Sequence, residues 1–229
     1  MSKKPAKVAL ITPVTDFCPP FWAFDMYRMG VYNGVHGVRS SIFFSGGSLI
    51  PKQRESLLNV ALADPDMTHL LWMDSDLRFP PDTMARLLSH EEPLVCASYT
   101  ERTPPHRPVA FSNPENFDER LYTTDDKHGL EEIYACGFGC VMMRREVPEA
   151  MQEPRFMVGW SQRSRAHVGE DMYFFHKMHA EVGVPLLLDH DLTRIMKHIG
   201  RQEFSNDLAV VLKAQREAAD VGLQHVSGA

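Results

Sequence analysis

Two carboxylates one residue apart, Asp74 and Asp76 on either side of Ser75, follow directly on the apolar run Leu70-Leu71-Trp72-Met73. A run of that length and composition is a buried strand, and a chain leaving a strand can turn both carboxylates toward one point. Hard oxygen donors suit Mg2+ or Mn2+, which retain waters and complete their shells with substrate phosphate oxygens. The chemistry this supports is neutralisation of a departing diphosphate. An Asp-x-Asp pair standing alone is more often a cap or a solvated loop; its place after a buried strand favours the site.

A second acidic pair, Glu170-Asp171, stands between Gly169 and a helix beginning at Met172. Carboxylates at a helix N-terminus interact well with the helix dipole, and that structural role competes with a chemical one. Either carboxylate is suited to act as a general base that takes the proton of an acceptor hydroxyl. His198, in Lys197-His198-Ile199-Gly200, is a competent nitrogen ligand for the same cation if the aspartates form a metal site. His190 and Asp191 form a further polar cluster, read as turn or supporting residues. Cys136 and Cys140 match no common zinc spacing, and the four cysteines read as structural thiols.

The elements that must position these groups alternate along the first half. Val8–Thr12, Ser41–Phe44, Thr68–Met73 and Leu94–Ala97 read as strands. Helices are expected after Pro20, from Pro51 and after Pro80-Pro81-Asp82. Apolar strands alternating with helices imply a parallel sheet covered on both faces, with ligands beyond the carboxyl ends of its strands. In the second half, residues 100–118 read as a long loop. Arg120–Thr123 and Glu131–Ala135 are expected to pair as a small hairpin, and residues 154–169 to be irregular. A helix follows from Asp171 to Val182, ended by Gly183, then a short strand over Pro185–Leu188 and a last amphipathic helix from Phe204.

At 229 residues the chain suits one domain. Its net charge of −6, with scattered Lys and Arg, argues against nucleic-acid binding built on phosphate neutralisation. The run Val8–Ile11 is too short for a signal or membrane segment, so the expectation is a cytoplasmic protein, in host cytoplasm if viral.

Taken in order, these pieces resemble the family-two glycosyltransferases of the GT-A fold, particularly short forms of bacteria and their viruses. The similarity runs through Thr12-Pro13, Arg54, Leu70–Asp76, Gly137–Arg145, Gly169–Phe174 and His198–Gly200. The resemblance implies a single GT-A, Rossmann-like α/β domain over 1–229, with a mostly parallel central sheet and helices on both faces, plus the hairpin and C-terminal helix. Residues 7–99 would form the nucleotide-binding half, 100–200 the acceptor and catalytic half, and 201–229 the terminal helix and tail. It implies a nucleotide-diphosphate sugar donor, a uridine diphosphate sugar on family grounds, and a hydroxyl acceptor on a glycan, a protein or a modified DNA base.

On this resemblance Thr12, Pro13, Arg54, Ser75 and Gly137 belong to the donor side. Asp76 binds the metal, Asp74 touches the donor or the metal through water, His198 completes the ligands, and Asp171 is the base. Tyr99 and Arg102 follow the fourth strand and are candidates for the donor pocket. Trp160, Arg163 and Arg165 sit in a loop placed to close over the donor or stack on a sugar. A single displacement inverts the anomeric centre; retention stays open. The competing classes are a sugar nucleotidyltransferase, whose glycine-rich loop Thr12–Pro20 lacks, and a non-catalytic nucleotide-sugar or glycan-binding module. The terminal helix is placed either against its own chain or in a homodimer.

Overall fold

The computed structural model describes residues 5–15, 17–114, 116, 119–162, 165–200 and 203–226. Strands and helices alternate at first: β1 (Lys7–Val14), α1 (Pro20–Val35), β2 (Arg39–Gly46), α2 (Ile50–Ala63) and β3 (His69–Met73). Next come β4 (Leu77–Arg78), α3 (Thr83–Ser89), β5 (Leu94–Cys96), β6 (Ala110–Phe111), β7 (Leu130–Ile133), β8 (Ala135–Cys136) and β9 (Cys140–Arg144). Then follow α4 (Glu146–Glu149), β10 (Gly159–Ser161), β11 (Ala166–Val168), α5 (Glu170–Glu181) and β12 (Leu186–Asp189). The chain finishes with α6 (His190–Thr193), β13 (Lys197–Ile199), β14 (Glu203–Ser205) and α7 (Asn206–Val226).

Seven strands form one sheet in the order β2-β1-β3-β9-β5-β12-β7. Those of β1, β2, β3, β5 and β12 run parallel to one another, and β9 and β7 run against them. The alternation of side chains along a strand splits the core in two. Ala9, Ile11, Leu70, Trp72, Val141 and Met143 face Leu57, Leu58 and Ala61 of α2 and Phe174, Phe175 and Met178 of α5. Val8, Leu10, Leu71, Met73, Cys140 and Met142 face Trp22 and Met29 of α1 and Met84 and Leu87 of α3. The mostly parallel sheet with helices on both faces is thus the architecture observed, and both faces of each central strand being buried explains the continuous apolar runs.

The expected hairpin does not form. Leu130–Ile133 pairs with Leu186–Asp189 and closes the sheet edge, while Arg120 makes only a single bridge to Phe111. An edge of the sheet offers a longer ladder than a free hairpin in water, and the apolar Ile133 gains burial there. A ribbon occurs instead where irregular chain was expected, β10 against β11. The 100–118 loop also holds β6, which pairs with β8. Cys96, Cys136 and Cys140 are buried free thiols and Cys18 is an exposed one. At the far end α7 touches its own chain at two places: Lys213 lies 4.6 Å over the Tyr122 ring, and Arg216 donates to the Pro105 carbonyl at 3.2 Å. Among the described residues no helix is long and apolar enough to cross a membrane.

Candidate functional site

The carboxyl ends of β1 and β3 open into a cleft of about 490 Å3. Pro13, Val14, Phe17, Ile50, Arg54, Asp74, Ser75, Asp76, Arg102 and Glu170 are among the residues that line it. Antiparallel β9 fixes where β3 ends, because the Asp74 amide donates to the Gly139 carbonyl at 2.9 Å. The chain then turns through Ser75-Asp76 into β4.

The short strand β4 is what joins Asp76 to His198. It pairs with β13 so that His198 lies opposite Leu77, and the Ile199 amide donates to the Asp76 carbonyl at 2.6 Å. The His198 Nε2 consequently stands 3.3 Å from Asp76 Oδ2. His198 Nδ1 lies 2.7 Å from the Thr100 carbonyl oxygen. A carbonyl only accepts, so Nδ1 donates and Nε2 is the nitrogen left for Asp76. A protonated ring donates from Nε2 to that carboxylate oxygen, whereas a neutral one turns a lone pair to it and calls for a positive charge between or beside the two atoms. Arg102 supplies part of that charge, with Nη1 at 3.2 Å from the same oxygen. Burial works to raise the Asp76 carboxyl, but the His198 hydrogen bond and the charges of His198 and Arg102 outweigh it and hold it below the usual range.

Asp74 does not join this pair. Its Oδ1 lies 3.1 Å from Arg54 Nη2, and Arg54 Nε lies 3.3 Å from Glu170 Oε1. Arg54 is 4% exposed and stacks over the rings of Phe138 at 5.0 Å and Trp72 at 5.6 Å. One buried guanidinium therefore ties the end of β3 to the start of α5 across the floor of the cleft. Burial raises the Asp74 carboxyl, against the opposing pull of Arg54. Among the described residues no group of three or more His, Cys, Asp and Glu is arranged to hold a metal ion. Of the donors expected from sequence, Asp76 and His198 stand against each other, while Asp74 lines the same cleft paired with Arg54. One carboxylate and one imidazole nitrogen still fit a cation that takes its other ligands from phosphate and water.

Asp171 stands at the start of α5, its Oδ1 accepting from the Met172 amide at 2.8 Å. Burial, and then the neighbouring charge of Glu170, lift its carboxyl to about 6. Glu170 pairs with Arg54 instead, so the two adjacent acids have different partners.

Tyr99 is held at 9% exposure between two glycines. A Cβ on Gly137 would lie 2.6 Å from its hydroxyl, and one on Gly139 2.6 Å from its ring. Gly137 is therefore a seat for Tyr99 rather than a wall of the cleft. The Tyr99 ring meets the His198 ring edge-on at 5.1 Å. Burial, with the charges of Asp74, Asp171 and Asp76, keeps the phenol protonated.

Thr12 is fully buried within β1, so that Pro13, not Thr12, reaches the cleft. Trp160 is half exposed on the β10–β11 ribbon and meets His167 edge-on at 5.1 Å. Arg165 is exposed on that ribbon, and Arg163 lies outside the described residues. His190 is buried between Thr123 at 2.8 Å and Glu131 at 2.7 Å, and Asp191 pairs with His128 and Arg194, so both serve the β7 region. Sequence reasoning missed the Thr100 carbonyl, the double pairing of Arg54 and the cleft residues Val14, Phe17 and Ile50. Only the position of Val14 at the end of β1 carried any signal in the sequence.

No protein-family model matches the sequence, and no curated protein matches it. Among solved structures the chain is similar to A197 from STIV, at 17% identity and a TM-score of 0.58, over 88% of this chain and 91% of that one. Looser overlaps include a glycosyltransferase involved in the glycosylation of the major capsid of PBCV-1, at 11% identity and a TM-score of 0.41, over 92% of this chain and all of that one. Another is GalNAc-T7 with UDP, GalNAc and Mn2+, at 11% identity and a TM-score of 0.47, over 87% of this chain and 45% of that one. At such identities the likeness is one of fold, and the fold shared with A197 is an α/β arrangement, here the mostly parallel sheet with helices on both faces expected from sequence.

Proposed function

We propose that this chain is a glycosyltransferase that moves a sugar from a nucleoside diphosphate donor to an acceptor hydroxyl. The observation that carries the reading is the Asp76–His198 pair beside the cleft at the carboxyl ends of β1 and β3, with the acidic start of α5, Glu170-Asp171, bringing Glu170 into the same cleft. Asp76 and His198 would hold a divalent cation, which would supply charge neutralisation for the departing diphosphate. Arg102, half exposed and already drawn to Asp76, is placed to share that charge. Asp171 takes the proton of the acceptor hydroxyl as its oxygen bonds to the anomeric carbon. The bond from that carbon to the diphosphate breaks, and its electron pair leaves with the diphosphate. A single displacement of this kind inverts the centre. Glu170 keeps Arg54 in place and takes no proton. A uridine diphosphate sugar as donor rests on the resemblance to family-two enzymes.

The test is calorimetric titration with a panel of nucleoside diphosphates, with and without Mn2+, on the natural chain and on Asp76→Ala. Mn2+-dependent binding of one nucleotide, lost in Asp76→Ala, is the expected result. Binding of none under either condition would overturn the reading. Binding with no turnover on any sugar donor would make the chain a nucleotide-sugar-binding module, a role that two metal donors also suit.

A further inference from the structure

Helix α1 is apolar on both sides. Its inner side buries Trp22 and Met29 against the sheet. Its outer side carries Phe21, Phe24, Tyr27, Val31 and Val35, exposed by 61, 55, 70, 49 and 76%. Of its 16 residues only Asp25 and Arg28 are charged, and Asp25 is buried against Arg78. A helix that is apolar all round is ordinarily a buried helix, and an exposed patch of this size marks a contact surface.

The spacing indicates what covers it. Phe21, Phe24, Arg28, Val31 and Val35 recur at alternating intervals of three and four, the repeat of a seam between helices. Gly34 flanks that seam on the Val31 side, and Gly30 lies farther round the helix. Glycine inside a helix is destabilising relative to alanine. Among the described residues nothing lies within 4 Å of the Cβ that either glycine lacks, so no packing seen there requires them. Small residues next to an apolar seam allow a second backbone to approach closely. A fluid lipid surface gives no such reason.

We propose that the occupant is a second copy of this chain, α1 against α1, antiparallel about a two-fold axis beside Met26. A parallel pair would set Arg28 against the partner subunit's Arg28. The antiparallel register sets Arg28 over the partner subunit's Phe24, repeating the stacking of Arg28 on its own Phe24 at 5.8 Å. In that register Phe21 meets the partner subunit's Val31, and Val35 extends toward the partner subunit's Phe17. The outer face with Phe17 presents on the order of 700 Å2 of apolar surface, taking about 200 Å2 for a whole aromatic side chain. A standard stable interface takes ~800 Å2 from each partner. Phe17 also lines the cleft, so the partner would close the cleft's outer lip. Only this last consequence rests on the proposed activity; the pairing is measured without it.

Light scattering behind size exclusion, at micromolar concentration, should give twice the chain mass. Val31→Glu and Phe24→Glu should each raise the dissociation constant by roughly 100-fold or more while leaving far-UV circular dichroism unchanged. In a Cys18→Ser background, Phe21→Cys mixed with Val31→Cys should cross-link between copies, and Phe21→Cys alone should not. A natural chain that stays monomeric would overturn the proposal, as would a dimer indifferent to Val31→Glu. Monomers that sediment with phosphatidylcholine vesicles would also overturn it and assign the face to lipid.

Discussion

Gly169 leaves the space that the Asp171 carboxylate fills: a Cβ on Gly169 would lie 2.6 Å from Asp171 Oδ1. The glycine has φ −61 and ψ 160, a conformation open to any residue. Alanine at 169 is therefore tolerated by the backbone and expelled only by the carboxylate. Displacing a reacting group by about 1 Å lowers turnover by roughly 100-fold. Gly169→Ala should show that loss in kcat, with donor binding retained and Tm changed by less than about 3 °C. Unchanged kcat would remove Asp171 from the role of base.

A base with a pKa of about 6 must be deprotonated to work. The expected kcat/KM rises with pH up to a midpoint near 6 and levels off above it; a profile flat from pH 5 to 8 would contradict this. Stability runs the other way. Because the folded carboxyl binds its proton more tightly than the unfolded one, this group lowers stability as pH rises from its ordinary value of 3.8 through about 6. Asp171→Asn keeps an acceptor for the Met172 amide and should stabilise the fold at pH 7.5, by at most about 3 kcal/mol. Thermal melts should show nearly the whole gain at pH 7.5 and only about half of it at pH 5.

Arg54 joins Asp74 and Glu170 in a nearly water-free setting. Arg54→Ala would leave two partly buried carboxylates unpaired, and breaking a buried pair costs about 3–5 kcal/mol. Arg54→Lys retains the charge but loses the fork that reaches both acids, and should recover less than half of that loss. Urea denaturation of the three proteins checks the order; equal stability of Arg54→Ala and the natural chain would sink it.

Local signals carried much of the fold and part of the site. The runs around Ala9, Leu71 and Val141 are apolar at every position because both faces of their strands are covered, and such runs are visible without a structure. Asp76 and Asp171 were marked by standing at a strand end and a helix start. The neighbour of His198 was not legible in the same way, because it depends on β4, two residues long, pairing with β13. The pairing of Asp74 with Arg54 was not legible either, because nothing local to Asp74 announces α2. The hairpin over 120–135 was misread for a related reason. Leu130–Ile133 has the composition of a strand, but the choice of partner was made by the free edge of β12, which no short window contains.

Gly139 tests whether the Tyr99 seat matters to the site. A Cβ there would lie 2.6 Å from the Tyr99 ring and 2.8 Å from Leu77 Cδ1, leaving no side on which to yield. Overpacking of this kind costs roughly 1–3 kcal/mol. The ring that must move is the one edge-on to His198, so Gly139→Ala should weaken Mn2+-dependent nucleotide binding along with stability. Tyr99→Leu removes the obstructing ring atoms. Combined with Gly139→Ala it should be more stable than the sum of the single losses predicts, by about 1 kcal/mol or more in a double-mutant cycle. The same double variant should not recover nucleotide binding, since the edge-on support of His198 is gone. Strict additivity of the two stabilities would mean that Gly139 is glycine for some reason other than Tyr99.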